Sequence, residues 1–351
     1  MIEGIERVLE NNGLPGAAEL RQLLEELLGG SPEVQRFVDQ QTLQPRGQRV
    51  FRLRFAGDGL RRSVIVKRLK PEIATLNELV VRRWLPAIGL HDAGSPLLGS
   101  ITARSGECSW HVYDDLGPWE LDPQALNQAQ MKLAVELIAQ LHTGFAGHAL
   151  LGEVRLHGGD LGIRFYEGNI NDALNALRGL QPSANEVGLV ERLINRLSDL
   201  RAELSRRANA LARIAEYETL LHGDLWAINI FAIPMGQGWQ VRLIDWDHAA
   251  VGPPTYDLST FLLRFPVETR LGLLNLYREC IGRAGWRLPG PDDLNLLFET
   301  HEYARIANRV IWPAIAKGVD SAQWGWDELA EVERWFEDFQ PVLPVREELP
   351  V

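Results

Sequence analysis

The segment from Leu220 to Asp257 places many polar side chains between short apolar runs. It reads LLHGDLWAINIFAIPMGQGWQVRLIDWDHAAVGPPTYD. Burying polar groups beside apolar runs costs free energy unless a ligand, an ion or hydrogen-bonding partners offset that cost. The polar members of the segment are His222, Asp224, Asn229, Asp245 and Asp247. The pattern therefore predicts a catalytic loop followed by a strand that ends in a metal-binding site.

The spacing within this segment suggests how the metal site forms. Asp224 and Asn229 lie five positions apart, so a tight loop can point both side chains into one cavity. The residues that follow read as a hairpin that turns at 236–238, and this hairpin would bring Asp245 back beside Asn229. A carboxylate and an amide oxygen are hard ligands of the kind that Mg²⁺ prefers.

Length and composition bound the class of protein. The 351 residues allow two domains, and the 46% hydrophobic and 24% charged content is typical of a globular chain. The net charge of −11 disfavours a nucleic-acid binder and favours cationic ligands. The two cysteines lie far apart, which argues against a disulfide framework or a cysteine zinc site. No signal-peptide or membrane-span pattern is found, so we expect a cytoplasmic protein without a membrane partner.

Changes of pattern along the chain predict three regions. Residues 1–30 read as two short helices that form an appendage, with one face made by leucines 20, 23, 24, 27 and 28. Residues 31–117 read as short antiparallel strands plus one helix, and Gly47 between the first two strands is compatible with a hairpin turn or a phosphate loop. Residues 118–351 are mainly helical, with a boundary at the Asp-Gly-Pro cluster that ends at Pro118.

The helical region carries several further expectations. Asp122 is expected to cap a helix that reaches Phe145, and 185–216 is expected to form one long helix. Four more helices are expected near 255–264, 267–284, 292–317 and 326–339, with a kink or break at Pro313. His142 is predicted to be a hydrogen-bonded core residue. Some side chains could either line a substrate pocket or belong to core and surface, the second being favoured: Glu299, Glu302, Tyr303 and Trp312.

Lys67 is one of only four lysines and lies inside an apolar strand, SVIVKRL. The two-residue period of a strand puts it on the same face as Ile65. Glu78 follows eleven positions later in a predicted helix and is a candidate partner for the Lys67 ammonium, with Glu72 as its rival.

The order of VIVK, Glu78, HGDLWAIN and IDWD resembles the aminoglycoside phosphotransferase-like family, small-molecule kinases of the protein-kinase-like fold. These elements correspond to the V-A-I-K, H-R-D-x-x-x-x-N and D-F-G motifs of kinases. The resemblance runs from about Gln35 to Trp312. It implies an α+β, bilobal protein-kinase-like fold, with an N-terminal antiparallel-sheet lobe plus one helix and a larger, mainly helical C-terminal lobe.

The resemblance also implies roles for individual residues. Asp224 would accept or orient the proton of a substrate hydroxyl, Asn229 and Asp245 would hold Mg²⁺ against the phosphates of ATP, and Lys67 would bind the phosphates with Glu78 as its partner. Further nucleotide-binding residues would be Ile65, Tyr113, Asp114 and Asp115, with the VYDDL backbone receiving the adenine. Supporting residues would be His222, Asp247 and Asp257.

The function implied is ATP- and Mg²⁺-dependent phosphorylation of a small-molecule hydroxyl. Candidate acceptors are aminoglycosides, amino alcohols and sugars, and the acidic composition favours a cationic one; the oligomeric state is left open. The short interval between IDWD and GPPTYD favours small molecules over protein substrates. Two alternatives remain, a non-catalytic nucleotide-binding module and a metal-dependent hydrolase that uses His222, Asp224, Asp245, Asp247 and His248.

Overall fold

A computed structural model describes residues 1–10, 13–32, 34–44, 49–125, 127–320 and 322–343; Gly47 lies outside them. The chain forms two compact units, Met1–Leu121 with Ile228–Ala249, and Asp122–Ala227 with the chain from Ala250 onward. One unit is built on an antiparallel sheet and the other is mainly helical, so the predicted α+β kinase-like fold is confirmed. The division into 1–30, 31–117 and 118–351 stays a prediction.

The first unit is organised around a five-stranded antiparallel sheet in the order β1-β2-β3-β5-β4. The strands are β1 (Arg36–Thr42), β2 (Val50–Gly57), β3 (Leu60–Leu69), β4 (Leu97–Thr102) and β5 (Ser109–Asp114). A two-residue turn, Asp58-Gly59, joins β2 to β3, and both residues have positive φ, 37° and 79°. Turns of this kind are favoured in hairpins because their backbone twist matches the twist of the paired strands, and Asp-Gly suits them because both residues tolerate positive φ.

The N-terminal helix α1 (Ala17–Leu28) belongs to the core of this unit. Leu20, Leu23, Leu24 and Leu28 are buried in one cluster with side chains of the sheet, whereas Leu27, predicted for the same face, is 37% exposed. The first of the two predicted helices is only a 3₁₀ turn at Ile5–Arg7, because the chain becomes extended at Val8, where ψ is 116°.

The rest of the first unit is a broken helix and a hairpin. The helix consists of α2 (Pro71–Leu79), a π-helical turn at Val80–Trp84 and α3 (Leu85–Ala87). The predicted hairpin is confirmed and comprises β7 (Ile230–Met235) and β8 (Gly238–Leu243), in which Met235 pairs with Gly238.

The second unit consists of helices around one small sheet. Its helices are α4 (Gln128–Phe145), α5 (Leu151–Gly158), α6 (Ile163–Arg178), α7 (Val187–Ala202), α8 (Leu204–Ala212), α9 (Thr255–Leu263), α10 (Val267–Gly282), α11 (Pro291–Asp320) and α12 (Trp324–Asp338). Two short strands, β6 (Thr219–Leu221) and β9 (Ala250–Gly252), pair antiparallel. The four helices expected after residue 254 are therefore confirmed.

Three expectations for the second unit were wrong. Helix α4 begins six residues after Asp122, because Asn127 is the residue that caps it by accepting from the Ala129 and Gln130 amides. The expected helix over 185–216 is interrupted at Glu203, where ψ is −1°. Helix α11 is not broken at Pro313, which is buried together with Val310 and Ala314, whereas the alternative expectation of a kink stays a prediction. Among the described helices, none is long and apolar enough to cross a membrane.

Candidate active site

A cavity in the first unit collects most of the side chains predicted to bind nucleotide and metal. Its walls include Ile65, Lys67, Tyr113, Asp114, Asp115, Asn229 and Asp245. The alternation of β3 places Ile65 and Lys67 on the cavity side of the strand. At the end of the hairpin, the Ile244 amide donates to the Asn229 carbonyl at 2.9 Å. The hairpin therefore brings Asn229 and Asp245 to the same cavity, as their spacing predicts.

The Lys67 ammonium is held by two carboxylates. Its Nζ lies 2.6 Å from Asp245 Oδ1 and 2.7 Å from Asp247 Oδ1. Asn77 Nδ2 also donates to Asp247 Oδ1, at 3.0 Å. Burial disfavours the charged form of Lys67, but the two carboxylates outweigh this effect and raise its pKa above the ordinary value. Lys67 therefore remains a cation at neutral pH.

Glu78 does not pair with Lys67, which corrects the prediction from the sequence. Its carboxylate lies 3.4 Å from His111 Nε2 and 3.6 Å from Arg82 Nη1. Successive residues of a helix point about 100° apart, and in α2 it is Asn77 that reaches the Lys67 cluster. The rival candidate, Glu72, is exposed. Asn77 was missed because a buried amide next to a glutamate gives no distinctive pattern.

The backbone of Asp245 adopts an unusual conformation. Its φ is +64°, in the left-handed region that non-glycine residues rarely occupy, although Asp and Asn tolerate it best. Such conformations cost about 1–3 kcal/mol and cluster at ligand sites. Asn229 is 6% exposed and faces the same cavity. Their oxygens are hard donors, so this pair fits Mg²⁺.

The ligand set of the hydrolase alternative is not assembled. Among the described residues, no three His, Cys, Asp or Glu side chains are grouped as metal ligands. His248, one of the proposed ligands, is exposed. The hydrolase interpretation therefore has no geometric support.

Asp115 fixes the chain segment that leaves β5. Its carboxylate accepts from Arg52 Nε at 2.7 Å, from Ser63 Oγ at 2.5 Å and from the Gly117 amide at 3.1 Å. Burial would raise the pKa of Asp115, but these hydrogen bonds outweigh it and hold the pKa below its ordinary value. The side chain of Asp115 is thus engaged within the protein, which leaves the backbone of the segment for a ligand.

In the second unit, Asp257 supports the loop that carries Asp224. The Asp257 carboxylate accepts from the amides of His222 at 2.7 Å and Gly223 at 2.9 Å. His142 Nε2 lies 3.3 Å from the same carboxylate. Burial would raise the pKa of Asp257, but the His142 contact, the charges of His142 and His222 and the Gly223 hydrogen bond together lower it. The loop before Asp224 is therefore anchored by an ionised, fully buried carboxylate.

His142 is the hydrogen-bonded core residue that the sequence predicts. It is fully buried, and its Nδ1 lies 2.8 Å from the Tyr277 hydroxyl. The apolar stripe of α4 revealed its burial, but its contact with Asp257, 115 positions later, could not be inferred.

The four side chains considered for a substrate pocket belong to core and surface. Tyr303 lies in the main core of the second unit, and Glu302 is buried and paired with Arg305. Glu299 is close to Arg207, at 3.9 Å, and Trp312 is 65% exposed. The sequence HGGD at 157–160, which superficially resembles HGD at 222–224, lies at the end of α5, and its Asp160 pairs with Arg155.

Comparisons with known proteins agree with this geometry. A model of the phosphotransferase enzyme family matches residues 42–289. A solved structure of spectinomycin phosphotransferase with ADP and spectinomycin is similar, with a TM-score of 0.55, 14% identity and coverage of 93% of this chain and 95% of that one. A Plasmodium vivax ethanolamine kinase has a TM-score of 0.54 and 13% identity, with coverage of 90% of this chain and 87% of that one. A Streptomyces rimosus aminoglycoside phosphotransferase with ADP and streptomycin has a TM-score of 0.51 and 16% identity, with coverage of 83% of this chain and 99% of that one.

At these identities the structural similarity shows a shared fold and does not extend to a substrate. A search of curated protein sequences found no match.

Proposed function

The chain belongs to the phosphotransferase enzyme family, and from that premise we propose that it transfers the γ-phosphate of ATP to a hydroxyl group of a small molecule with the help of Mg²⁺. The observation that carries this proposal is the convergence of Lys67, Asn229 and Asp245 on one cavity. Phosphoryl transfer depends mainly on positioning and on neutralising charge, and these side chains supply a cation and two metal ligands.

Some residues of the cavity would bind the phosphates of ATP and others would bind the metal ion. The Lys67 ammonium binds phosphate oxygens, and its raised pKa keeps it charged at neutral pH. Asn229 and Asp245 would hold Mg²⁺, which when bound neutralises charge on the phosphates. Asp247 and Asn77 keep the Lys67 side chain in place. The apolar walls include Ile65 and Val50 and suit a purine ring.

Asp224 is proposed to orient the acceptor hydroxyl and to accept its proton. Two backbone hydrogen bonds to Asp257 anchor the preceding residues, His222 and Gly223, so the loop does not have to be ordered when the acceptor binds. Such preorganisation lowers the barrier because positional entropy is lost before the reaction begins.

The direct test is transfer of radiolabelled γ-phosphate from Mg·ATP to a panel of hydroxyl compounds. The panel comprises aminoglycosides, amino alcohols, sugars, nucleosides and macrolides, and ATP binding is measured separately by calorimetry. We expect ATP to bind and at least one compound to be phosphorylated. Absence of both binding and transfer would refute the proposal.

The Asp224→Asn substitution tests the role of the carboxylate. We expect kcat to fall about 10²- to 10⁴-fold, the range for loss of a positioned base, while the affinity for Mg·ATP stays unchanged. The control is Asp172→Asn, which removes an exposed carboxylate from α6 of the same unit. Turnover retained by Asp224→Asn would exclude the proposed role.

A further inference from the structure

Arg264 follows the last residue of α9 and stacks on the side chain of Trp226. The Arg264 Cζ lies 3.3 Å from the centroid of the Trp226 ring, and Trp226 stands two positions after Asp224. A guanidinium stacked in this way is held in one plane, and its N–H groups point outward along its edges. The arrangement fixes a cation beside the loop of the proposed hydroxyl-orienting residue.

The guanidinium group of Arg264 has unused hydrogen-bonding capacity. Within the described part of the chain it makes no ion pair or side-chain hydrogen bond, and its Nε is buried without an acceptor. A buried donor without an acceptor costs free energy. Such groups are rare in folded proteins. Because the Nε atom is itself buried, a ligand would bind to the two terminal nitrogens of the guanidinium, which likewise have no acceptor in the described part of the chain.

The charges around Arg264 favour an anion. Burial lowers its pKa most; Glu302 and Asp224 raise it, and Arg305 and Arg309 lower it further. Glu302 is already paired with Arg305, which in turn donates to the Tyr256 carbonyl at 2.6 Å. With the Glu302–Arg305 pair neutral overall, the two cations Arg264 and Arg309 exceed the one carboxylate Asp224 in charge. This local excess of positive charge contrasts with the net charge of −11.

We propose that Arg264 binds an anionic group of the phosphate acceptor, so that the acceptor is an acidic hydroxyl compound carrying a carboxylate or a phosphate. The inference rests on the proposed function. A planar guanidinium can donate two parallel hydrogen bonds to such a group. A cationic acceptor would meet like charges beside Asp224, so the site reverses the preference expected from the acidic composition.

Two matched sets of small molecules test the charge preference. The first is glucuronate, glucose and glucosamine, and the second is glycerate, glycerol and 2-amino-1,3-propanediol. Sulfate serves as an anion without a hydroxyl framework. Binding of each probe is measured by calorimetry on the full chain with saturating Mg²⁺ and ADP, so that the nucleotide site is occupied. The variants are Arg264→Gln and Arg264→Lys, with Arg192→Gln as a control that removes an exposed guanidinium of the same unit.

We expect the acidic probes to bind more tightly than their neutral and amino counterparts. Arg264→Gln should weaken that binding about 10- to 100-fold, the usual loss for a charge-assisted hydrogen bond. Arg264→Lys, which keeps the positive charge but cannot donate two parallel hydrogen bonds, should weaken binding of the acidic probes less. Arg192→Gln should leave their binding unchanged. Thermal unfolding of each variant checks that the fold is retained, and the lysine variant keeps the test valid if the glutamine variant does not fold.

Other outcomes would overturn the proposal in distinguishable ways. If no acidic probe binds in an Arg264-dependent manner, or the amino probes bind best, the charge assignment is wrong although the proposed function can stand. If Arg264→Gln leaves probe binding intact but slows phosphoryl transfer to every acceptor, and ATP hydrolysis by water, equally, Arg264 acts on the transferred phosphate. If Mg·ADP does not bind, the proposed function falls, and this inference with it.

Discussion

At the scale of single residues, the Lys67 cluster assigns different tasks to two neighbouring carboxylates. Both contact Lys67, but Asp245 lines the cavity and adopts φ of +64°, whereas Asp247 also accepts from Asn77. We expect Asp245→Asn to lower kcat/KM about 10²- to 10³-fold, as for other losses of a charge-stabilising group. Asp247→Asn should cost about 10-fold, as for residues that only position a ligand. Steady-state kinetics over a range of Mg²⁺ concentrations measures both.

Asparagine is the appropriate replacement because it keeps the size of the side chain and tolerates the left-handed backbone. Asp245→Asn should also raise the Mg²⁺ concentration needed for half-maximal rate, and Asp247→Asn should not. Equal losses in the two variants, or a larger loss for Asp247→Asn, would transfer the metal role to Asp247.

At the scale of elements, helix α1 contributes to the core of the first unit through one face. Leu24 is fully buried among side chains of the sheet, whereas Leu27 is 37% exposed. We expect Leu24→Ala to lower the free energy of unfolding by about 3 kcal/mol, because it leaves a cavity. Leu27→Ala should cost about 1 kcal/mol or less. Urea unfolding followed by circular dichroism measures both changes, and similar losses would show that α1 does not pack as described.

The sequence predicts elements well where one local pattern dominates. The strands β2 and β3 alternate, their Asp-Gly turn has its own signal, and the hairpin 230–243 has glycines at its turn. Prediction from the sequence fails where tertiary contacts decide whether an element continues or where it begins. A break was expected at Pro313, but this residue is buried together with Val310 and Ala314, and the helix continues through it. The expected helix start at Asp122 was displaced because Asn127 provides a second capping signal.

The same division applies to the candidate site. The spacing predicts that Asn229 and Asp245 lie together, and both line one cavity; Lys67, which the family resemblance implies as a nucleotide-binding residue, lines the same cavity. Pairs that fix the surroundings of the cavity join positions far apart in the chain, such as Arg52 with Asp115 and Asn77 with Asp247, separated by 63 and 170 residues. A single sequence contains no signal for such distant pairs. The contacts of Lys67 with Asp245 and Asp247 could therefore not be inferred, and Glu78 was wrongly expected as its partner.

At the scale of the whole molecule, each unit contains a buried histidine that resists protonation. Burial lowers the pKa of His111 in the first unit to about 4, against the opposing effect of Glu78. Burial also lowers the pKa of His301 in the second unit well below its ordinary value, and nearby Arg305 and Arg207 lower it further. Between about pH 6.5 and 4, the unfolded chain therefore binds a proton at His111 that the folded chain does not.

The consequence is a loss of stability on acidification. The contribution of His111 is fully present above its unfolded pKa of about 6.5 and is lost as the pH falls, by about 3 kcal/mol in total down to pH 4. We expect the free energy of unfolding to decrease steadily below pH 6.5, and His111→Gln to reduce that slope. His91→Gln, at an exposed position, is the control. The measurement is urea unfolding at a series of pH values, at low protein concentration because the protein is least soluble near its pI of about 5.3. A stability that is constant or increases from pH 7 to pH 5 would contradict this prediction.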